Sequence, residues 1–216
     1  TSLEPINNIY SIISLTIESF YTRLIDAFYQ DPIGEDEFGH IFIKKNGYDA
    51  TVKGITIEMR ANFNQKIEVE TGLTYQSSEY DSNQNYSLNL TPRKKFLRTP
   101  NKYGYATFIY TPNKKLKISC NLIHTGPMDL IHFAGSPEQN QDEYITTETF
   151  NSIGIKTTYT KLLKNIDTKF EYSLGIKNIT NSYQSDFDTT KNRDSNFIYG
   201  PSSPRIIYLQ IVLKSI

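Results

Sequence analysis

The feature that most constrains this chain is an alternation of apolar and polar side chains that recurs along nearly its whole length. Between residues 166 and 177, Phe170, Tyr172 and Leu174 alternate with Glu171 and Ser173. A period of two places successive side chains on opposite faces of a β-strand, so this pattern predicts strands with one apolar face. The same pattern marks seven segments: 10–29, 52–63, 66–80, 116–124, 148–160, 166–177 and 205–215. An eighth segment, 103–111, alternates poorly but is rich in tyrosine and phenylalanine.

The first segment also fits a second interpretation. Leu24, Ile25 and Phe28 have the spacing of an amphipathic helix, and the segment is long enough to form one. Its β-branched and aromatic residues favour a strand instead. We therefore predict eight strands, with the helix as the alternative for residues 10–29.

Charged residues occupy the polar side of these segments. They are Glu58, Arg60, Glu68, Glu70, Lys117, Lys156, Lys169, Glu171 and Lys177. In a membrane barrel such residues line a wet interior, while the apolar rows meet lipid. A soluble sheet with one solvated face is the alternative, but its apolar rows would need a large second layer as cover. The sequence offers no helical segments for that layer, so a membrane-spanning sheet is favoured.

The connections alternate between short and long. Residues 64–65, 112–115 and 161–165 form short turns, whereas 30–51, 81–102, 125–147 and 178–204 are long and polar. Outer-membrane barrels have short periplasmic turns and long extracellular loops, which is the same asymmetry. The sequence thus predicts that all four long loops lie at one end of the sheet. Ile41 and Ile43 also predict an additional hairpin within the first long loop.

Composition limits the other function classes. The 216 residues carry 23 basic and 23 acidic side chains, so no excess charge favours a nucleic-acid partner. No run of about 18 apolar residues exists, so no transmembrane helix is expected. Cys120 is the single cysteine, which leaves no internal disulfide and no cysteine-based zinc site. We interpret Cys120 as a small strand residue.

The C-terminal stretch resembles a known family. Gly175, Asn178, Asn181 and Tyr183 are followed by Gly200-Pro201, Pro204-Arg205 and a final alternating strand. This arrangement is similar to the C-terminal end of TonB-dependent outer-membrane receptors. The likeness continues upstream, for instance at residues 96–100 before a tyrosine-rich strand.

The resemblance implies an all-β fold, namely an antiparallel transmembrane β-barrel portion of about eight strands that forms an open, curved sheet. It implies outer-membrane lipid as surroundings, and residues 1–216 as the C-terminal part of a barrel whose N-terminal strands and plug domain lie outside this chain. In the family the final strand closes the barrel and is read by the barrel-assembly machinery. Here that strand presents Tyr208, Leu209, Ile211, Leu213 and Ile216, and Ile216 stands where the family usually ends on an aromatic residue.

The activity implied is uptake of a scarce ligand, such as a ferric siderophore or another chelate, energised by TonB through the plug. No cofactor and no enzymatic role are expected, since no catalytic motif is found in the sequence. Two alternatives remain open at this point. One is a complete eight-stranded barrel with a structural or adhesive role, and the other is a soluble carbohydrate-binding β-sandwich.

Five loop residues are candidates for ligand contact. His124 and His132 flank the start of the loop that follows the fifth segment, and Asp186, Asp188 and Asp194 crowd the last long loop. A metal-binding role for either group is less favoured, because no third ligand has zinc spacing and the EF-hand glycine and glutamate are missing. The ligand itself cannot be named from the sequence.

Overall fold

The computed structural model describes residues 11–36, 39–135, 139–163, 167–189, 191 and 193–215. Within these ranges the chain is all-β and contains no helix. The strands are β1 (Ser11–Leu24), β2 (Phe28–Asp36), β3 (Gly39–Asn46), β4 (Ala50–Phe63), β5 (Ile67–Gln84), β6 (Arg93–Lys95), β7 (Lys102–Asn113), β8 (Leu116–Thr125), β9 (Asp129–His132), β10 (Glu143–Thr146), β11 (Phe150–Leu163), β12 (Thr168–Lys177) and β13 (Ile206–Ser215). No helix of the described residues is long and apolar enough to cross a membrane.

One antiparallel sheet dominates the fold. Its strands follow the order β1-β4-β5-β7-β8-β11-β12-β13, and the short strand β6 pairs with the far end of β5. The described residues of β1 pair only with β4, and those of β13 pair only with β12, so the sheet is open. The predicted open barrel portion of eight strands is therefore confirmed, and a closed eight-stranded barrel is not observed.

The first predicted segment needs one correction. A single strand was expected over residues 10–29, but β1 ends at Leu24 and β2 begins at Phe28. Asp26 adopts a positive φ of 51° at the break, and the chain leaves the main sheet there. β2 then pairs with β3, which confirms the additional hairpin predicted in the first long loop. Tyr10 and Ile166, the first residues of two predicted strands, lie outside the described residues, and so does Ile216, which was assigned to the closing-strand signal.

The strand register assembles one continuous apolar face. Residues that are directly opposite each other in an antiparallel pair project to the same face. One such row crosses all eight strands: Ile13, Ala61, Val69, Phe108, Cys120, Ile155, Ile176 and Ile207. Every member of the row is apolar or small, and Cys120 belongs to it as a strand residue. The apolar face predicted strand by strand is thus a property of the whole sheet.

The opposite face is polar, and its charges pair within and between strands. Arg60 lies 3.1 Å from Glu70, and Glu171 is bonded by both Lys169, at 2.8 Å, and Lys214, at 3.1 Å. The predicted polar side of the strands is therefore a face on which opposite charges meet. It corresponds to the interior side of a barrel wall.

Three glycines on the polar face lie under aromatic rings of the neighbouring strand. A Cβ atom on Gly175 would lie 2.4 Å from the ring of Tyr208, and one on Gly72 would lie 2.6 Å from Tyr105. A Cβ atom on Gly54 would lie 2.7 Å from the ring of Phe20. Each pair is also a register pair, so the ring covers the backbone of its glycine partner. These contacts need the absence of a side chain at the glycine.

The two ends of the sheet differ as predicted. At one end, Asn64 and Gln65 both take positive φ angles, of 52° and 55°, as a two-residue hairpin turn requires. The Asn113 side chain accepts the N–H groups of Lys115 and Leu116 and so shapes the next turn at the same end. All the long connections leave from the other end, where the hairpin β2–β3 and the strand pair β9–β10 form two small sheets.

Candidate functional site

The last long loop, between β12 and β13, is built around one buried amide. Gln184 is only 1% exposed. Its Nε2 donates to the Phe197 carbonyl at 2.9 Å, and its Oε1 accepts the Tyr199 N–H at 2.8 Å and the Gly200 N–H at 3.2 Å. The side chain thereby replaces backbone partners that this irregular segment lacks.

The residues that carried the sequence resemblance hold the two ends of the same loop together. Asn178 donates from Nδ2 to the Ser182 and Ser203 carbonyls, at 3.2 and 2.9 Å. Asn181 accepts the Arg205 N–H at 3.0 Å. Both asparagines take positive φ angles, which asparagine tolerates better than most residues. Their position is structural, at the base of the loop.

Three of the five predicted ligand-contacting residues come together in this loop region. His132 of β9 bonds through Nε2 to both oxygens of Asp188, at 3.0 and 3.1 Å, and its ring stacks on Phe197 with centroids 3.7 Å apart. Asp194 accepts the Phe133 N–H at 3.0 Å and donates its own N–H to Asp188 at 2.8 Å. These residues join the loop after β8 to the loop after β12.

His124 and Asp186 lie apart from that cluster. His124 is near the end of β8, on the apolar side of the sheet, and its Nδ1 lies 2.8 Å from the Asn151 side chain. Asp186 accepts the Tyr199 hydroxyl at 2.6 Å, and burial together with this carboxylate raises the pKa of Tyr199. The five residues therefore do not form one site, and their contact with a ligand stays a prediction.

A cavity at the loop end was not predicted from the sequence. Its volume is about 770 Å³, within the usual range of small-molecule sites. Its lining is Phe28, Tyr29, Gln30, Phe42, Lys44, Tyr80, Tyr86, Phe96, Leu97, Arg98, Ile131, Phe133 and Asn196. Seven of these are aromatic, two are cationic and none is acidic. We refer to this feature as the aromatic cavity.

Separate segments supply its walls. The hairpin β2–β3 contributes Phe42 and Lys44, β9 contributes Ile131, and the stretch after β6 contributes Phe96 and Arg98. The ring of Tyr80 packs on Phe96 with centroids 4.4 Å apart. The only sequence signal was the concentration of aromatic residues within polar loops, which does not show which rings will meet.

Polar groups of the aromatic cavity are held in place. The Tyr86 hydroxyl donates to the Lys95 carbonyl at 2.8 Å. Burial raises the pKa of Tyr86, with a smaller contribution from Tyr80 and Tyr144, so the phenol stays neutral. Arg98 donates from Nη1 to the Ile198 carbonyl at 2.9 Å and so fastens this wall to the last loop. Aromatic faces beside two cations suit a flat ligand that carries negative charge.

Comparison with known proteins supports the fold. No family model matches the sequence, and no curated protein sequence matches it. Among solved structures, the chain resembles the siderophore receptor PirA from Acinetobacter baumannii, with a TM-score of 0.62 and 17% identity over 93% of this chain and 29% of that chain.

Two further structures resemble it to a similar degree. FpvA of P. aeruginosa, solved with pyoverdines, has a TM-score of 0.61 at 12% identity, over 91% of this chain and 24% of that chain. Fiu, the ferric-catecholate import receptor from K12 E. coli, has a TM-score of 0.59 at 16% identity, over 93% of this chain and 25% of that chain.

The likeness confirms the predicted resemblance at the level of the fold. The neighbours are TonB-dependent siderophore receptors, and the chain has the fold of part of such a receptor's barrel. It spans only about a quarter of the length of each of these proteins.

Proposed function

We propose that this chain is the C-terminal part of the barrel of an outer-membrane receptor that imports a scarce chelate such as a ferric siderophore. The observation that carries the proposal is the match of over nine-tenths of the chain to part of several siderophore receptors. The asymmetry of the loops supports it, since a receptor collects its ligand at the end where the long loops lie. Energy would reach the receptor from TonB through a plug domain outside this chain.

In this role the apolar face of the sheet meets outer-membrane lipid. The free edges of β1 and β13 would pair with further strands of the same barrel, because hydrocarbon does not tolerate unpaired backbone groups. The closing strand β13, with Tyr208, Leu209, Ile211 and Leu213, would be the segment that the barrel-assembly machinery recognises. Ile216, predicted to belong to the same signal, lies outside the described residues.

The aromatic cavity is the candidate contact surface for the ligand. Its Lys44 and Arg98 side chains provide positive charge without an acidic neighbour in the lining. A ferric complex with acidic oxygen ligands carries negative charge, and aromatic chelating groups can stack on the cavity walls. His132, Asp188 and Asp194 would act by fixing the loops around this cavity.

Uptake of radioactive iron tests the proposal. A strain lacking the gene should lose uptake of one ferric siderophore, and deletion of TonB should abolish the same uptake. Binding of that siderophore to whole cells should persist without TonB, since energy is needed for transport and not for binding. Unchanged uptake of every siderophore tested in the deletion strain would contradict the proposal.

Two adjacent lysines give a matched test of the aromatic cavity. Lys44 lines the cavity, whereas Lys45 pairs with Asp31 at 2.6 Å on the other side of the hairpin. Lys44→Gln should weaken binding of an anionic ligand by up to about 5-fold, because the contact of one exposed charge contributes at most about 1 kcal/mol. Lys45→Gln should leave the affinity nearly unchanged. Equal losses in both variants would remove the cavity from the proposal.

A further inference from the structure

Three loop segments bring a histidine and two carboxylates together outside the aromatic cavity. Glu35 and His40 face each other as a register pair near the tip of the hairpin β2–β3. Asp142 comes from the loop just before β10, about a hundred residues later in the chain. One ligand atom from each of the three lies within 4.8 Å of the others. We refer to these residues as the Glu35–His40–Asp142 cluster.

The two ring nitrogens of His40 each face one carboxylate. Nδ1 lies 3.1 Å from Glu35 Oε1, and Nε2 lies 3.5 Å from Asp142 Oδ1. Tetrahedral zinc bonds of about 2.0–2.1 Å place two ligand atoms roughly 3.3–3.4 Å apart. The separation of Nε2 and Oδ1 therefore suits an ion shared by His40 and Asp142, and the half-exposed Glu35 side chain would turn from Nδ1 to reach the same ion.

Asp142 is held rigidly in this position. Its side chain is fully buried, with 0% exposure, while the imidazole of His40 is 15% exposed. Asp142 Oδ1 accepts the Ala134 N–H at 2.9 Å, and Oδ2 accepts the Ser87 hydroxyl and, at 3.3 Å, the Asn89 amide. A carboxylate oxygen can accept more than one partner, so Oδ1 can keep the Ala134 N–H and also bind an ion. Such outer contacts orient a ligating carboxylate in metal sites.

The cluster combines two carboxylates with one imidazole. Among the described residues, no lysine or arginine is recorded in an ion pair with Glu35 or Asp142. The Asp142 side chain is buried, whereas that of Glu35 is half exposed. A divalent ion would add favourable charge–charge contacts to the hydrogen bonds that already hold Asp142.

We propose that Glu35, His40 and Asp142 bind a divalent first-row transition ion, with Zn²⁺ as the representative member. His40 supplies one ring nitrogen, the two carboxylates supply one oxygen each, and water completes the coordination. Nitrogen and oxygen donors in this ratio suit Zn²⁺ and its neighbours better than Ca²⁺, which takes six or more oxygen ligands. The ion joins the tip of the hairpin β2–β3 to the loops that carry Asp142 and Ser87.

This ion would act on the aromatic cavity through a ring contact. The His40 ring packs against Phe133, with centroids 4.4 Å apart, and Phe42 lies 5.8 Å from Phe133. Phe42 and Phe133 both line the cavity. Metal binding would therefore fix one wall of the aromatic cavity, which is otherwise held by side-chain contacts between separate loops. The metal site does not rest on the proposed function, because Glu35, His40 and Asp142 do not line the aromatic cavity.

Metal titration of the intact protein tests the proposal. The protein is extracted from membranes in detergent without a histidine tag, stripped with a chelator and titrated with Zn²⁺ in a calorimeter. The expected result is one ion per chain, and X-ray absorption should show one imidazole nitrogen among nitrogen and oxygen neighbours at about 2.0–2.1 Å. Failure to bind one ion per chain, or a spectrum without imidazole, overturns the proposal.

Three variants separate this site from other surface binding. His40→Ala and Glu35→Gln should each weaken Zn²⁺ binding by at least about tenfold. His124→Ala is the matched control, since His124 contacts the Asn151 side chain and no carboxylate contact to it is recorded among the described residues. This variant should bind Zn²⁺ like the parent protein. Glu35 is half exposed, so Glu35→Gln keeps the test valid if His40→Ala does not fold. Equal affinities in the Glu35→Gln, His124→Ala and parent proteins would overturn the proposal.

Discussion

Gly175 is a residue whose lack of a side chain defines the contact around it. Tyr208 lies across its backbone on the polar face of the sheet, and Lys177 Nζ lies 5.4 Å from the centre of the same ring. A Cβ atom at position 175 would approach the ring to 2.4 Å, which a packed contact does not permit. The pair Gly175 and Tyr208 therefore acts as one unit of strand pairing between β12 and β13.

We expect Gly175→Ala to lower the free energy of unfolding by about 1–3 kcal/mol, because the Tyr208 ring must leave its position. In a Tyr208→Ala background the same substitution should cost much less, which a double-mutant cycle measures. Urea titration in lipid, followed by the electrophoretic shift between folded and unfolded protein, gives the values. An equal cost in both backgrounds would show that the ring is not the obstacle.

Gly154→Ala provides the control for this cycle. A Cβ atom there would meet the side-chain oxygen of Asn121 at 2.5 Å, and that flexible amide can rotate away. The expected cost is smaller than at Gly175, although both glycines lie in strands on the same face of the sheet.

At the scale of the element, β13 shows how one strand separates two environments. Leu209 is 72% exposed on the apolar face, opposite Leu174, whereas Gln210 lies on the polar face opposite Ser173. If the proposed location is right, the exposed apolar side chains of this strand contact hydrocarbon rather than water. Neighbouring residues of one strand then differ in their tolerance of charge.

Arginine substitutions in β13 measure that difference. Leu209→Arg should cost about 2–4 kcal/mol in folding into lipid, as expected for a cation near the middle of the membrane, and Gln210→Arg should cost far less. Folding titrations into lipid vesicles provide both numbers. Equal costs at the two positions would mean that the two faces of the strand meet the same medium.

The strand pair β9–β10 depends on charge in a different way. Burial by itself raises the pKa of Asp129, but hydrogen bonds from Lys95 at 2.8 Å and Thr146 at 2.9 Å outweigh that effect and lower it. Asp142, in the same loop, also has a lowered pKa, because hydrogen bonds from Ser87 and the Ala134 N–H outweigh burial. Asp129 and Asp142 therefore both stabilise the strand pair β9–β10 and its connecting loop in their ionised form.

The pH dependence follows from these directions. Because the folded pKa lies below the unfolded value, the stabilisation is complete above that unfolded value, about 4, and is lost as the pH falls through the folded pKa. Amide exchange of residues 129–146, corrected for the intrinsic rate at each pH, should therefore accelerate in acid. Asp129→Asn should show a smaller acid response than the parent protein, and an identical response would contradict the assignment.

At the scale of the whole molecule, the open sheet is the property with the largest consequence. The described residues of β1 and β13 each leave one edge without a partner strand, and in hydrocarbon each unpaired N–H or C=O group costs several kcal/mol. An exposed edge that cannot be satisfied by water also favours pairing between chains. The sheet is therefore expected to need further strands before it is stable in a membrane.

The 216-residue chain alone should consequently fail to refold as a monomer in detergent micelles. We expect oligomers or aggregates by size-exclusion chromatography with light scattering. The protein extracted intact from outer membranes serves as the control and should be uniform in size. A monodisperse, heat-modifiable monomer of the isolated chain would show that the two edges do not need partner strands.

The strands and their faces could be predicted from the sequence because alternation is a local property. Each residue's face follows from its parity within the strand, so the apolar side of most strands could be assigned from the pattern, whereas the register that aligns the row from Ile13 to Ile207 could not. The same locality explains the boundary error in the first segment, since Ile25 keeps the parity of Ile13, Leu15 and Ile17 although the chain turns at Asp26.

The sites could not be predicted because their residues are distant in the chain and have no periodicity. His132 reaches Asp188 across 56 residues, and Arg98 reaches the Ile198 carbonyl across 100. Long polar loops can close in many ways, and the loop ends adopt one arrangement only through side-chain contacts that depend on the whole fold. Alternation in the sequence by itself determined the strands and the two faces of the sheet, because a residue's face depends only on its position within its own strand. The tertiary structure alone decided that the sheet is open, which aromatic rings enclose the cavity and that Glu35, His40 and Asp142 meet.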